Sequence, residues 1–211
     1  VESNLMEGAL IVIFVLIVFL GNFRAGLIVA SAIPLSLLFA LSLMNLFGVS
    51  ANLMSLGAID FGLIVDGAVI IVEATLHLLA AKNVKEKLTQ QQMDGAVEES
   101  AKKMMSSAAF GQIIILIVYL PILTLEGIEG KMFSPMAKTV AFAILGALIL
   151  SLTYIPMMSA LFLSKKISPK QNFSDKMMDF FQRGYDPLIK AAIKFRYMTA
   201  GIAVLLLIIT G

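Results

Sequence analysis

Long runs without a formal charge recur along this chain. No Asp, Glu, Lys or Arg occurs from Ala25 to Leu46, from Ala108 to Leu125 or from Thr139 to Leu163. A hydrocarbon core ~30 Å thick takes about 20 helical residues to cross, and its lack of water forces every backbone N–H and C=O to pair inside the protein. These runs restrict the chain to an all-α polytopic bundle of transmembrane helices. Composition points the same way. The 211 residues are 59% hydrophobic and 14% charged, where a soluble domain averages about 45–50% and about 25%.

The apolar runs give five complete spans and one partial span. They lie at about Leu5–Leu20, Ala25–Leu46, Leu53–Ala80, Ala108–Leu125 and Met132–Leu163, with a last one over Tyr197–Gly211. The organisation expected is a five-helix bundle over residues 1–163, with one span at 51–80 and a polar connector at 82–107. An amphipathic linker helix follows at 164–196, and 197–211 starts another membrane helix. Both ends read as cut from a longer chain, since the first residue is Val1 and the last run is shorter than a membrane crossing. There are no cysteines, which excludes disulfides and thiolate ligands. Tryptophan is absent too, so Phe19, Phe23, Phe47, Tyr119 and Tyr197 are the candidates for interfacial anchors.

Basic residues orient the bundle. Arg24, the lysines of 82–103 and all eight Lys and Arg from Lys165 to Arg196 fall on one side, and only Lys131 and Lys138 on the other. Fourteen of 16 basic residues therefore mark the cytoplasmic face. Lys82–Ser107 and Ser164–Arg196 read as amphipathic helices on that face. In the second, Phe173, Met177, Phe180 and Phe181 recur at one helical face, beside cations that suit an anionic leaflet.

Three acids stand inside one span, in Asp60-Phe-Gly62-Leu-Ile-Val-Asp66-Gly-Ala68-Val-Ile-Ile-Val72-Glu73. Each acid at bilayer depth costs roughly 2.5–3.5 kcal/mol on insertion scales. At about 100° and ~1.5 Å per residue, Asp66 and Glu73 share a face ~10 Å apart, and Asp60 lies about 120° round and ~9 Å nearer the other face. Such a ladder suits proton or cation movement, because a carboxylate passing between an apolar setting and a nearby cation changes its hold on a proton. The same acids could ligate a divalent ion directly. A structural reading stands beside this: Asp60 caps a helix end and Glu73 snorkels to the interface.

Other features are weaker. Gly57, Gly62 and Gly67, with Ala58 and Ala68, allow another helix to approach closely. Pro34, Pro121 and Pro156 kink or break their spans, whereas Pro135 is read at a helix start. His77 follows Glu73 by four residues and could share a metal with it, although an interfacial histidine is the simpler reading. The thirteen methionines are scattered and read as apolar filler. Lys138 is read as snorkelling outward rather than pairing with Asp60. Glu126 and Glu129 are read as solvated loop acids. No Walker loop, nucleophile triad or zinc finger occurs, and no cofactor is expected.

From Asp60 to Glu73 the sequence resembles the heavy-metal efflux branch of the resistance-nodulation-division (RND) superfamily. The nearest pattern is that of the cobalt–zinc–cadmium pumps, Asp-Phe-Gly-x3-Asp-Gly-Ala-x3-Val-Glu-Asn. Ala32-Ile-Pro34-Leu-Ser36, Tyr119-Leu-Pro121 through Glu126 to Lys131-Met-Phe, and Leu150-Ser-Leu-Thr-Tyr-Ile-Pro156 with Ser159-Ala-Leu-Phe-Leu163 extend the likeness over nearly the whole chain. The resemblance implies a segment from the second to the seventh membrane helix of a trimeric bacterial inner-membrane pump. It implies proton-driven export with a periplasmic adaptor and an outer-membrane channel, with Asp60, Asp66 and Glu73 as proton relay and a lysine partner in the other membrane half. Two departures matter. The motif ends Glu73-Ala74 rather than Glu-Asn, and Ile64 and Ile71 stand where the monovalent copper and silver branch has Met, which favours divalent cations.

The expected function is the membrane portion of a proton antiporter for divalent metal cations of the Zn, Co, Cd and Ni class. The partners are protons, those cations and the bilayer, not nucleic acid, and the identity of the metal stays open. An RND exporter of organic compounds and a sterol-sensing-like regulatory bundle are the alternatives. The three-acid ladder disfavours the second, since ligand sensing does not need protonatable groups at three depths.

Overall fold

A computed structural model describes residues 2–49, 60–81, 88–164 and 173–210, all of whose regular structure is helical. Among the described residues, the first compact unit, Val1–Pro169, holds six helices and the second, Lys170–Gly211, holds two. Of these described helices, four in the first unit are long and apolar enough to cross a membrane, and a shorter apolar stretch covers Met6–Leu20.

Helix α1 (Glu2–Leu20) ends at Gly21, whose φ of 59° reverses the chain. Asn22 then caps α2 (Phe23–Leu46), its side-chain oxygen accepting from the N–H groups of Arg24 at 3.0 Å and Ala25 at 3.3 Å. Helix α2 runs on through Pro34. It closes in a Schellman arrangement around Gly48 (φ 62°), with Val49 N–H donating to the Met44 carbonyl and Gly48 N–H to that of Asn45. Helix α3 (Phe61–Ala81) carries the acids. It buries Ile64, Val65, Ala68, Ile71, Val72, Thr75 and Leu79, one stripe at helical spacing.

Helix α4 (Gln90–Leu123) changes the expected organisation. The polar connector and the fourth span are one continuous helix of 34 residues, ~51 Å at 1.5 Å per residue and so longer than the hydrocarbon core. A capping box starts it: Thr89 accepts from Gln92 N–H, and the Gln92 side chain accepts from Thr89 N–H at 3.0 Å. Its polar half does not present an apolar face to lipid. Met93, Ala96, Val97 and Ser100 are buried, because their spacing makes a stripe that packs into the bundle.

The expected fifth span is two helices, α5 (Gly127–Leu152) and α6 (Tyr154–Phe162). Pro156 accounts for the break at Thr153, since it has no N–H for the Leu152 carbonyl and its ring crowds that oxygen. Pro135 lies well inside α5 rather than at its start. Helix α5 packs on α2, α3 and α4, and α1 packs on α2. The helices interlock through one core that includes Ala25, Val29, Ile33, Ile64, Ile71 and Ile155. Polar ties cross it: Ser31 Oγ and Tyr154 Oη lie 3.2 Å apart, joining α2 to α6.

In the second unit, α7 (Phe173–Lys194) and α8 (Arg196–Thr210) meet at a 91° bend. Phe180 and Phe181 are exposed on α7. The side chains of Phe173 and Met177 lie outside the described residues, as do Gly57, Ala58, Lys82, Lys85 and Lys87.

Candidate functional site

Helix α3 has two unlike faces. Val65, Gly67 and Ala68 are buried among the other helices, while Asp66 between them is exposed. A residue 100° off the buried stripe points away from it, so the packing that fixes α3 also turns Asp66 outward.

The three acids stand as steps along the helix rather than as a cluster. Asp60 lies just before α3, exposed, and its Oδ1 accepts from Gly62 N–H at 2.8 Å. This satisfies one of the free donors of the first turn and places a negative charge at the positive end of the helix dipole. Glu73 is half-buried two turns beyond Asp66. Its Oε1 lies 3.8 Å from His77 Nε2, with the side chains 47% and 79% exposed. Such an exposed pair contributes little stability. A cavity of about 460 Å³ opens beside the pair, lined by Glu73, His77, Glu99, Ser100 and Lys103. The polar half of α4 thus brings further charged groups to the Glu73 end of the acid ladder. Among the described residues no three His, Asp or Glu side chains are grouped to hold a metal ion. Lys138 is exposed on α5.

A residue that the sequence reading passed over, Gln112 of α4, lies against this helix. It is 1% exposed, and a methyl group at Gly67 would stand 2.9 Å from its carboxamide carbon, nitrogen and oxygen alike. Gly67 therefore admits the close approach of another helix, as its small size allows, and what approaches is an amide side chain. Ser151 Oγ of α5 donates to Gln112 Oε1 at 3.5 Å, and Gln112 Nε2 is buried without a partner among the described residues. The signal in the sequence was a lone amide in the uncharged run Ala108–Leu125. Gly62 differs, its nearest neighbour being the capping carboxylate of Asp60 itself.

The AcrB/AcrD/AcrF family model matches residues 1–211. The chain belongs to this family. Within the AcrB/AcrD/AcrF family its relatives are the heavy-metal efflux pumps. It is 44% identical over 195 residues to the cobalt-zinc-cadmium resistance protein CzcA of Cupriavidus metallidurans, covering 92% of this chain and 18% of that protein. It is 44% identical over 207 residues to the nickel and cobalt resistance protein CnrA of the same organism, covering 96% of this chain and 19% of that protein. Two crystal structures of a heavy metal efflux pump are similar. One aligns with a TM-score of 0.64 at 44% identity, over 74% of this chain and 14% of that one. The other aligns with a TM-score of 0.74 at 34% identity, over 97% and 18%. The chain therefore spans about a fifth of the length of the curated relatives it matches. The resemblance read from Asp60 to Glu73 and its flanking motifs is the family these relatives define.

Proposed function

We propose that this chain is the membrane-coupling portion of a proton-driven pump that exports divalent metal cations. The observation that carries this reading is the exposure of Asp66 on a membrane-spanning helix whose neighbouring positions are buried. A carboxylate held at that depth needs a partner or a proton. An aspartate that exchanges one for the other changes the charge on the helix by one unit, and that change can drive a shift of packed elements.

In this account Asp66 takes a proton that enters past Asp60 and leaves it towards Glu73 at the cytoplasmic end. Protonation frees Asp66 from a lysine supplied by the other membrane half, α3 shifts, and the periplasmic domains change their export state. The resistance to cobalt, zinc, cadmium and nickel in the names of the relatives supports a divalent cargo, as do Ile64 and Ile71 in place of thioether side chains. The assembly proposed is a homotrimer in the bacterial inner membrane, working with a periplasmic adaptor and an outer-membrane channel.

The test is metal-evoked proton flux. The full-length transporter that carries this segment would be reconstituted in vesicles with an inward proton gradient, and Zn²⁺, Co²⁺, Cd²⁺, Ni²⁺ and Cu⁺ added in turn. Flux evoked by divalent ions and lost in Asp66→Asn is the expected result. Flux that persists in folded Asp66→Asn protein would sink the relay role.

A further inference from the structure

We propose, resting on that reading, that Gln112 is a positioning residue of the relay: a buried amide that clamps the Asp66 turn of α3 and whose unpaired donor makes the clamp releasable. Three observations meet at this residue. Its whole carboxamide lies against the main chain of Gly67, the residue next to Asp66, as close as a missing Cβ allows. It is 1% exposed, within the uncharged run Ala108–Leu125. Its Nε2 has no acceptor among the described residues, while Oε1 receives only the long bond from Ser151, whose hydroxyl also donates to the Leu148 carbonyl at 2.9 Å.

A buried amide left half-satisfied raises the free energy of the arrangement that contains it. Swapping the amide's nitrogen and oxygen does not remove the deficit, because only one end reaches Ser151. A hydrophobic side chain of the same length would fill the space without this cost. The amide is therefore a local conflict in an otherwise apolar contact, of the kind found where a structure must move.

The position explains what moves. Gly67 gives α3 no side chain to lock against α4, so the contact is main chain against amide. A small displacement of α3 along α4 brings different backbone groups past Nε2. An arrangement in which Nε2 gains an acceptor is then favoured by that hydrogen bond, and the two positions of α3 come closer in energy than apolar packing alone would leave them. Gln112 does not carry the proton. It sets how readily the helix bearing Asp66 changes place once the charge on Asp66 changes.

The experiment separates this role from plain packing. In the full-length transporter, Gln112→Met keeps length and approximate volume and removes the donor, and Gln112→Leu removes it with a shorter, branched and stiffer side chain. Proton flux would be measured against Zn²⁺ concentration in vesicles, with thermal unfolding followed on the same preparations. The expected result is a maximum flux at least tenfold lower, an unchanged half-saturating Zn²⁺ concentration, and thermal stability equal to or above that of the unsubstituted protein. Flux within twofold of the unsubstituted protein in either variant would overturn the proposal. So would loss of flux and loss of folded protein together in both variants, which is the signature of a merely structural amide. Normal flux in Gln112→Met alongside lost flux in Asp66→Asn would sink this inference alone, whereas no Zn²⁺-evoked flux in the unsubstituted transporter would remove both.

Discussion

Asp60 holds two candidate tasks in one side chain, and substitution can separate them. As the residue before α3 it accepts from Gly62 N–H at 2.8 Å, and asparagine caps about as well as aspartate. Asp60→Asn therefore keeps the cap and removes the proton site. The expected outcome is lost proton flux with unchanged thermal stability. Asp60→Ala should lose the flux and also about 1 kcal/mol of stability through the missing cap. Equal flux in Asp60→Asn and the unsubstituted protein would reduce Asp60 to a cap. His77 makes the opposite case. Its side chain is 79% exposed and 3.8 Å from Glu73, so His77→Ala should change stability by no more than ~0.5 kcal/mol. At this scale the acids were legible, because charges inside an apolar run stand out against their surroundings. Gln112 was not, because its meaning depends on a glycine 45 positions away in the chain, and linear order does not show which residues will touch.

Among the elements, α4 carries a test of its own. A helix continuous from Gln90 to Leu123 has no joint between its polar and apolar halves. Ser106 and Ser107 lie where the hydropathy changes, and both side chains are exposed. Ser106→Pro therefore removes no packing contact and acts through the backbone alone. It should cost about 3 kcal/mol or more, read as a lower unfolding temperature in detergent. Tolerance of the substitution would mean that the two halves are separate elements. The sequence suggested a connector followed by a span because hydropathy shifts there, but helical hydrogen bonding does not stop at a change in polarity. The break between α5 and α6 has the reverse cause: hydropathy runs on unbroken through Thr153, and the missing N–H of Pro156 interrupts the helix.

For the whole molecule, the uncharged runs made the spans legible, and the placement of Lys and Arg made the orientation an expectation. That orientation is open to direct measurement, since the segment has no cysteine to give background. Single cysteines placed at Lys131 and at Lys102 should react with a membrane-impermeant thiol reagent from opposite sides, Lys102→Cys from the cytoplasmic side. Labelling of both from one side would reverse or break the topology. What the sequence left unread at this scale is how α2, α4 and α5 surround the relay helix α3, which follows from small residues such as Ala32 and Ala68 meeting in the core.

The central claim is that Asp66 couples proton entry to metal export, and one comparison tests it most directly. Purified full-length transporter, unsubstituted and Asp66→Asn, would be reconstituted at equal folded amounts, and lumenal pH followed after addition of Zn²⁺ under an inward proton gradient. The account expects acidification in the first that follows Zn²⁺ concentration, and none above leak in the second. Equal Zn²⁺-evoked acidification in both would contradict it.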